Sequence, residues 1–281
     1  MLACAAAHGG TLEKIRETGR ITLGVRSSSI PFSFVNLENE PIGYVVDLCR
    51  KVTEAIRQEL SLPALEVAYR FVTLEDRYKR LAAGDIDLEC ASSSNTRSRY
   101  DEAAFSVNLF YVNIRMVVRR GSGIHDFEDL TGKKVVVTTN STTERLVRQI
   151  IAAGHWKVDL MTTGSHSESF RLVKSGRAAA FVLDDVLLAG LIAVSRDPQA
   201  YQIVGAPLRI EPYALAMRKD DPEFKAVVDR ALTQAMQSGE AERLYDRWFM
   251  EPIPPHGINL EEPPSETLKA AFRNPSDEGA E

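Results

Sequence analysis

Cysteine is scarce in this 281-residue chain, which contains only Cys4, Cys49 and Cys90. Three cysteines permit at most one internal disulfide, and their spacing does not match that of a metal-ligand cluster. A buried, unpaired Cys90 on a strand is therefore the default expectation, while pairing of Cys49 with Cys90 is left open. The count does not define the redox compartment, and the sequence predicts no metal site.

Long apolar runs and an excess of positive charge are also missing. No stretch approaches the roughly 20 apolar residues of a membrane-spanning helix. The formal net charge is −5 and the sequence pI is about 5.7, which argues against a nucleic-acid-binding surface and against affinity for an anionic membrane. The sequence offers no nucleophile–base pair, no Gly-rich phosphate loop and no DNA-binding module. It therefore predicts no cofactor and no catalytic residue.

The first eight residues are rich in small side chains but are too short for a signal peptide and lack its basic n-region. They resemble the end of such a peptide. Leu2-Ala-Cys4 is faintly similar to a lipoprotein cleavage box, although the apolar run that precedes such a box is missing. A misplaced start codon explains this beginning equally well, and lipidation of Cys4 is left open.

What the chain does contain is an ordinary globular composition and a repeating α/β pattern. Apolar residues make up 44% of the chain and charged residues 26%, and the length permits about two domains. Alternating apolar residues predict a strand over 20–26, and a spacing of three and four after Gly43 predicts an amphipathic helix. A strand over 67–71, a helix opened by 73–77 and a strand from Asp85 follow. Successive units of this kind predict a mainly parallel sheet with right-handed crossovers.

A second series of strand–helix units begins near Asp126. The predicted strands are 133–138, 158–161 and 176–185. Ser141 and Glu144 fit a capping box at a helix start. The free N–H groups of that helix start, with Thr142 beside them, also form a potential anion site.

Two long extended runs, 110–120 and 207–217, interrupt the pattern. The first is too long for one buried strand of a small sheet, so 113–118 is interpreted as a crossover between two lobes. The second is interpreted as the return crossover. Two further helices are predicted over 224–236 and 239–249. The stretch that follows them is polar, and its last residues, 279–281, are expected to be loose.

The stretch 85–106 combines a short strand with hydroxyl and guanidinium side chains. Three serines, 92–94, follow the strand, and Arg97 and Arg99 come next. An arginine offers a planar fork of donors to a carboxylate, and a serine adds one more. Taken alone, the stretch is better interpreted as a polar turn. In open α/β sheets, however, ligands bind at the carboxyl ends of the strands, and Arg26 and Arg77 also follow strand ends.

Several stretches together resemble the periplasmic amino-acid-binding proteins of ABC importers, solute-binding family 3, and most closely the glutamate/aspartate-binding members. No single motif is decisive, and the order and spacing from about Thr11 to the end carry the resemblance. The main stretches are RSSSIPFS at 26–33, GDIDLEC at 84–90, DLTGK at 129–133, SGRAAAF at 175–181, RKDD at 218–221 and SGEAE at 238–242.

The resemblance implies a two-lobed α/β fold, the type II periplasmic-binding-protein-like fold. Each lobe would be a mainly parallel sheet flanked by helices, and two crossover hinge segments would join the lobes. Lobe 1 would comprise 1–115 and 212–281, and lobe 2 would comprise 116–211. The expected protein is a monomeric, non-catalytic periplasmic receptor that binds L-glutamate or L-aspartate between closing lobes. It would deliver the ligand to the membrane permease of an ABC importer and would bind no nucleic acid.

The resemblance also implies roles for individual residues around the ligand's α-carbon. Arg99 would hold the α-carboxylate in a bidentate pair, and its spacing to the following Phe-Ser pair favours it over Arg97. Thr142, at its helix start, would hold the same carboxylate from the other lobe. Asp184 would bind the α-ammonium group, with Asp185 as a substitute. Further donors and acceptors around the α-carbon would come from Ser92 and Ser94.

The ligand's side-chain carboxylate would be bound by Arg26, Arg77 and His166. Where related proteins have a serine just before the turn that carries Arg77, this chain has Leu74, so one hydrogen bond to that carboxylate is expected to be missing. The glutamate/aspartate preference is therefore left open.

Charge counting supports an acidic ligand. Three site arginines against Asp184 leave the predicted pocket near +2 before His166 is counted. A neutral ligand would leave Arg26 and Arg77 unpaired in a closed cleft, where each lost charged hydrogen bond costs roughly 1.5–3 kcal/mol. The opposing interpretation is that both arginines lie on the surface, as most arginines do.

Two other functions are compatible with the resemblance. Some relatives on this fold are dehydratases, so an enzyme is one alternative. The other is the ligand-sensing domain of a larger receptor or regulator.

Overall fold

A computed structural model describes residues 10–281, and residues 1–9, with Cys4 and the leader-like start, lie outside that description. The helices are α1 (Thr11–Thr18), α2 (Tyr44–Glu59), α3 (Arg77–Ala82), α4 (Thr142–Ala152), α5 (His166–Lys174), α6 (Asp185–Ala193), α7 (Pro222–Gln237), α8 (Glu240–Tyr245) and α9 (Glu266–Arg273). The strands are β1 (Arg20–Val25), β2 (Ser28–Ser29), β3 (Ser33–Val35), β4 (Pro41–Ile42), β5 (Glu66–Phe71), β6 (Leu88–Cys90), β7 (Ala104–Phe105), β8 (Phe110–Arg119), β9 (Lys134–Thr138), β10 (Asp159–Thr163), β11 (Ala180–Asp184), β12 (Tyr201–Val204), β13 (Ile210–Tyr213) and β14 (Ala216–Met217). Within the described part, no helix is both long and apolar enough to cross a membrane.

The first sheet has the strand order β5-β1-β6-β14-β7. Strands β5, β1 and β6 are parallel, and β14 runs antiparallel to both of its neighbours. Helices α2 and α7 pack against each other beside this sheet. Their buried faces are apolar at a spacing of three and four, as in Val45, Leu48 and Val52 of α2. We call this sheet and the helices packed on it lobe 1.

The second sheet has the order β10-β9-β11-β8-β12, with β13 also paired to β8. Strands β10, β9 and β11 are parallel, and β8 is antiparallel to β11. Helices α4, α5 and α6 pack on this sheet, and we call the unit lobe 2. The two-lobed α/β fold predicted from the sequence is confirmed, whereas the boundaries at 115/116 and 211/212 stay a prediction.

Strand β8 corrects the expectation that 110–120 is too long for one strand. It is a continuous ten-residue strand. Its first part pairs with β13, with Phe110 opposite Tyr213 and Asn113 opposite Ile210, and its second part lies between β11 and β12. The interpretation of 113–118 as a crossover is therefore wrong for all but its first residue. The strand is long because its hydrogen-bonding partners change halfway.

Aromatic rings surround the paired crossover strands. The ring of Phe32 packs edge-on against Phe110 at 4.8 Å and against Tyr213 at 5.1 Å between centroids. Phe249 stacks on Phe110 at 5.0 Å. Such pairs contribute about 0.5–1.5 kcal/mol each beyond their burial, so the region where the chain passes between lobes is well packed.

Cys49 and Cys90 form a disulfide, and the expectation of an unpaired Cys90 is wrong. Cys49 lies on α2 and Cys90 ends β6. Because the helix packs on the sheet here, the two Cα atoms are 6.2 Å apart, within the range that a disulfide requires. Nothing in the local pattern reveals this proximity across 41 residues of sequence.

The C-terminal part also differs from the expectation. The stretch described as polar contains α9, whose residues Leu268, Ala271 and Phe272 are buried at helical spacing. The last residues are not loose, because the Ala280 amide donates to the Asn95 carbonyl oxygen at 3.0 Å. Tertiary contacts thus order a segment that has little apolar periodicity of its own.

Candidate ligand-binding site

Lobe 1 brings four predicted site residues to one edge of its sheet. Arg26 directly follows β1, Arg77 begins α3 after β5, and Ser92 and Ser94 follow β6. Since β1, β5 and β6 are parallel, their carboxyl ends meet at the same edge. Ser92 is half-buried, and the other three residues are buried.

Lobe 2 supplies the other predicted residues in the same way. Thr142 begins α4 after β9, His166 begins α5 after β10, and Asp184 is the last residue of β11. All three side chains are buried. The predicted cap is present, since the Ser141 hydroxyl accepts from the Glu144 amide at 3.0 Å, although the Glu144 carboxylate binds the amide of residue 140.

The two sheet edges face each other across a narrow gap. The Ser94 hydroxyl of lobe 1 lies 3.4 Å from the Thr142 hydroxyl of lobe 2. Gly190 of α6 approaches lobe 1 so closely that an added Cβ would lie 2.5 Å from the Ile30 carbonyl oxygen, so only glycine permits this contact. The lobes are therefore in direct contact around the site.

Arg77 is buried in lobe 1 with part of its donor capacity unused. One guanidinium nitrogen, Nη1, donates to the Ser93 hydroxyl at 2.8 Å and lies 3.6 Å from Glu89 Oε1. The guanidinium also lies over the ring of Tyr78, 4.6 Å from its centroid. Its Nε has no hydrogen-bond partner within residues 10–281. A buried donor of this kind calls for an explanation, and a bound ligand provides one.

Arg26 and Arg99 complete a cluster of three buried guanidinium groups. Arg26 Nη1 donates to the Val72 carbonyl at 3.3 Å, and Arg99 Nη1 donates to the Ser94 carbonyl at 2.9 Å. Burial, followed by the charge of Arg77, lowers the pKa of Arg26 to about 10. Burial also lowers the pKa of Arg99. Both stay charged at neutral pH, so the cluster has an electrostatic cost that an anionic ligand would offset.

Asp184 is the matching acceptor on lobe 2. Its Oδ2 accepts a hydrogen bond from the Tyr213 hydroxyl at 2.6 Å, while its buried Oδ1 has no partner within the described chain. Burial, and then the neighbouring Glu211 carboxylate, raise the pKa of Asp184 to about 7. A cation placed at Oδ1 would lower that pKa again, so the geometry suits an ammonium group.

His166 is a neutral side chain in this environment. Its Nδ1 lies 2.8 Å from the Thr138 hydroxyl. Burial, followed by the positive charges of Arg26 and Arg77, lowers the pKa of His166 to about 3. The positive charges that lower this pKa belong to lobe 1, so the electrostatic field of the lobe 1 arginines extends to His166 on lobe 2.

Two buried carboxylates of the site were missed by sequence reasoning. Glu89 on β6 is completely buried beside Arg77, and neither of its oxygens has a hydrogen bond within the described residues. Glu211 on β13 accepts from the Thr142 hydroxyl at 2.7 Å and from Arg209 Nε at 2.9 Å. A usable signal existed for Glu89, because the strands of a parallel sheet are covered on both faces and a strand carboxylate there must be buried.

These residues change the predicted charge of the site. The guanidinium groups are those of Arg26, Arg77, Arg99 and Arg209, and the carboxylates are those of Glu89, Asp184 and Glu211. Counted as formal charges, four positive groups face three negative ones. The net charge of the site is therefore +1, in place of the value near +2 expected from the sequence. A ligand with two acids and one amine carries a net charge of −1 and would neutralise it.

The other sequence candidates lie outside this cluster. Arg97 is largely exposed and pairs with Glu278 at 3.3 Å, so it does not contribute to the site. Asp185 accepts from the Asn113 side chain at 2.8 Å, which places it at the crossover. Leu74 lines an open cleft of about 780 Å³ between the lobes, next to Arg99.

A two-lobed α/β fold with a buried polar site between the lobes defines the class of periplasmic binding proteins. Residues 21–251 match the model of the bacterial extracellular solute-binding proteins, family 3. The chain belongs to this family.

Relatives and solved structures agree with this placement. The L-glutamate/L-aspartate-binding protein of Pseudomonas aeruginosa is 44% identical, over 97% of this chain and 90% of that protein. The glutamate/aspartate import solute-binding protein of Salmonella typhimurium is 40% identical over the same shares. The crystal structure of a mutant of ArgBP from T. maritima has a TM-score of 0.75 and 25% identity, over 85% of this chain and 99% of that chain. Both the family and the fold predicted from the sequence are confirmed.

Proposed function

We propose that this chain is the ligand-capturing subunit of a bacterial ABC importer and that it binds L-glutamate and L-aspartate between its lobes. The observation that carries the proposal is the convergence of Arg26, Arg77 and Arg99 on one buried site that also holds Asp184. The names of the two relatives at 44% and 40% identity support the same ligands.

The α-carbon end of the ligand would lie between Arg99 and Asp184. Arg99 provides a fork of donors for the α-carboxylate, and the hydroxyls of Ser94 and Thr142 and the half-buried Ser92 lie at the same edges. The free Oδ1 of Asp184 would accept from the α-ammonium group.

The side-chain carboxylate would lie between Arg26 and Arg77, with His166 as a neutral partner from lobe 2. The unused Nε of Arg77 is a suitable donor. Leu74 provides no hydroxyl at this end. The ligand would therefore contact both lobes, and closure would be favoured because only the closed state makes both sets of contacts.

The remaining parts of the proposal concern the cellular role. The chain would act as a monomer in the periplasm, transfer its ligand to membrane permease subunits and catalyse no reaction. Lobe 1 would comprise 1–115 and 212–281, and lobe 2 would comprise 116–211. The family match and the import function in one relative's name support this role.

Isothermal titration calorimetry tests the ligand assignment. We expect saturable, tight binding of L-glutamate and L-aspartate and no detectable binding of L-glutamine or L-arginine. Strong binding of a neutral amino acid together with no heat from either acidic one would refute the proposed specificity.

An enzyme on the same fold is the second candidate, and Asp184 is the residue that favours it. A carboxylic acid with a pKa of about 7 is suited to proton transfer. Incubation with L-glutamate, L-aspartate and aromatic dehydratase substrates, followed by mass spectrometry, distinguishes the two. Unchanged ligand supports the binding role, and product formation that depends on Asp184 supports the enzyme.

A further inference from the structure

The last residues of the chain return from α9 to lobe 1 and lie along the loop that carries Arg99. The Ala280 amide donates to the Asn95 carbonyl at 3.0 Å, and the Arg97 amide donates to the Ala280 carbonyl at 2.9 Å. Thr96 and Ala280 thereby form a parallel bridge. The segment 275–281 lies beside residues 95–97 as an added short strand. Residues 95–97 connect Ser94 to the turn that carries Arg99.

Two buried asparagines of lobe 1 also bind the same segment. Asn95 Nδ2 donates to the Asp277 carbonyl and Asn108 Nδ2 donates to the Glu278 carbonyl, each at 2.9 Å. The Asn108 amide also donates to the Ser276 carbonyl at 2.7 Å. Without the segment these donors would lose their protein partners and would have to bind water.

The segment also accounts for the orientation of the two candidate arginines. Arg97 and Arg99 lie on one 3₁₀ turn, where side chains two positions apart point in different directions. Arg97 pairs with Glu278 and Glu281 on the outside, while Arg99 is buried toward the cleft. The fit is close at Gly279, where an added Cβ would lie 2.5 Å from the Tyr100 hydroxyl.

The segment further reaches the second crossover. Arg209 Nη1 donates to the Glu281 main-chain oxygen at 3.1 Å. Arg209 also binds Glu211, which accepts from Thr142, and Thr142 contacts Ser94 across the gap. The adjacent residues Ala280 and Glu281 therefore contact the Arg99 loop and a hydrogen-bonded chain that links the lobes, respectively.

We propose that residues 275–281 form a strap that positions Arg99 for the ligand's α-carboxylate and so sets ligand affinity. The proposal rests on the proposed function of the site. The strap lies beyond residues 21–251, the part that matches the family model, so it is an addition to the matched two-lobed unit. Its residues act through Arg99 and have a positioning role.

The test compares the full chain with a chain that ends at Asn274, using calorimetry with L-glutamate and with its α-carboxamide analogue. The α-amide lacks the charge that Arg99 would bind. We expect the Kd for L-glutamate to rise about tenfold in the shortened chain. We expect the preference for L-glutamate over the α-amide to fall by a similar factor, because only the α-carboxylate contact is affected.

A full-length variant guards against a folding defect in the shortened chain. Gly279→Val would push the strap away from Tyr100 and Asn95, and we expect it to reproduce both effects. Arg97→Ala removes only the outer ion pairs and is expected to raise the Kd about threefold. The matched control is Arg16→Ala, since Arg16 is 54% exposed and Arg97 53% exposed, and each pairs with a surface glutamate. The control should leave the Kd unchanged.

The outcomes separate the strap from the proposed function. If the full chain binds neither L-glutamate nor L-aspartate, the proposed function fails and this proposal fails with it. If the full chain binds but the shortened chain and Gly279→Val bind as tightly and as selectively, only the strap is overturned. Equal weakening toward both ligands also overturns it, since that result indicates general destabilisation without a role for the Arg99 contact.

Discussion

The two lobes contribute different chemistry to the same cleft. Lobe 1 provides the guanidinium groups of Arg26, Arg77 and Arg99, whereas lobe 2 provides a hydroxyl, a neutral imidazole and the carboxylate of Asp184. Lobe 1 also carries the disulfide and the strap next to its part of the site. Under the proposed function, lobe 1 would be a preorganised anion receptor and lobe 2 would add the amine contact on closure. The following predictions test that division.

The largest effect is expected for Arg99→Ala. Without this guanidinium, the proposed α-carboxylate would be buried without a charge partner, which costs about 5 kcal/mol at the upper end of the usual range. Binding of L-glutamate should fall below detection by calorimetry. Arg97→Ala should weaken binding less than tenfold, and an equal loss in both variants would contradict the assignment of Arg99.

Removal of the lobe 1 disulfide should produce the next largest effect. The Cys49→Ala/Cys90→Ala variant loses a cross-link over 41 residues of sequence, and the chain-entropy relation predicts a loss of about 4 kcal/mol in the free energy of unfolding. Urea denaturation of the variant, of the oxidised wild type and of the reduced wild type measures this loss in the free energy of unfolding. Equal midpoints for oxidised and reduced protein would show that lobe 1 does not depend on this cross-link.

Asp184→Asn should have a smaller effect on affinity and a distinctive effect on pH dependence. Loss of the ammonium's charge partner should weaken L-glutamate binding by about 3 kcal/mol, or roughly 100-fold, at pH 8. In the wild type, Asp184 has a pKa raised to about 7 by burial and by Glu211, against the opposing charge of Arg99. Binding below pH 7 must therefore expel a proton, and affinity should fall by up to about tenfold per pH unit.

The control for this pH dependence is His166→Gln. Because the pKa of His166 is lowered to about 3, its charge does not change between pH 5 and 8, and the variant should keep the wild-type slope. Asp184→Asn should lose that slope. A slope that vanishes with His166 and persists without Asp184 would contradict the division of roles on lobe 2.

The raised pKa of Asp184 also affects the stability of the ligand-free protein. An unfolded aspartate has a pKa near 4, so between about pH 4 and pH 7 the unfolded chain releases a proton that folded Asp184 retains. The contribution of Asp184 to stability should therefore decrease as pH rises through this window. Thermal unfolding of wild type and Asp184→Asn, compared at pH 5 and pH 7.5, measures the difference. The variant is expected to exceed the wild type in thermal stability by more at pH 7.5 than at pH 5.

Thr142→Val should produce the smallest effect. The valine keeps the shape but removes the hydroxyl that donates to Glu211 and contacts Ser94. A loss of about 1.4 kcal/mol, or tenfold in Kd, is expected because the contact with Ser94 joins the two lobes and its removal disfavours the closed state. Thr142→Ser should restore most of the affinity. No change in either variant would show that the contact between the lobes at this point does not affect closure.

Much of the site was predictable because its residues stand at local signals. Alternation located β1, whose end carries Arg26, and a run of small and apolar residues located β11, which ends at Asp184. A capping serine located the start of α4 beside Thr142. Strand ends of parallel sheets converge at one edge, so residues far apart in sequence were predicted to meet. The resemblance to family 3 then supplied their roles, which sequence periodicity does not contain.

Periodicity within the sequence thus determined the strands and helices that carry the site residues, because these signals depend on neighbours within a few residues. Only the tertiary structure decided the Cys49–Cys90 pairing, the burial of Glu211, and the anchoring of the last residues on the Arg99 loop. Those contacts include a hydrogen bond between Asn95 and Asp277, which are 182 positions apart, and no local pattern encodes which distant surfaces pack together.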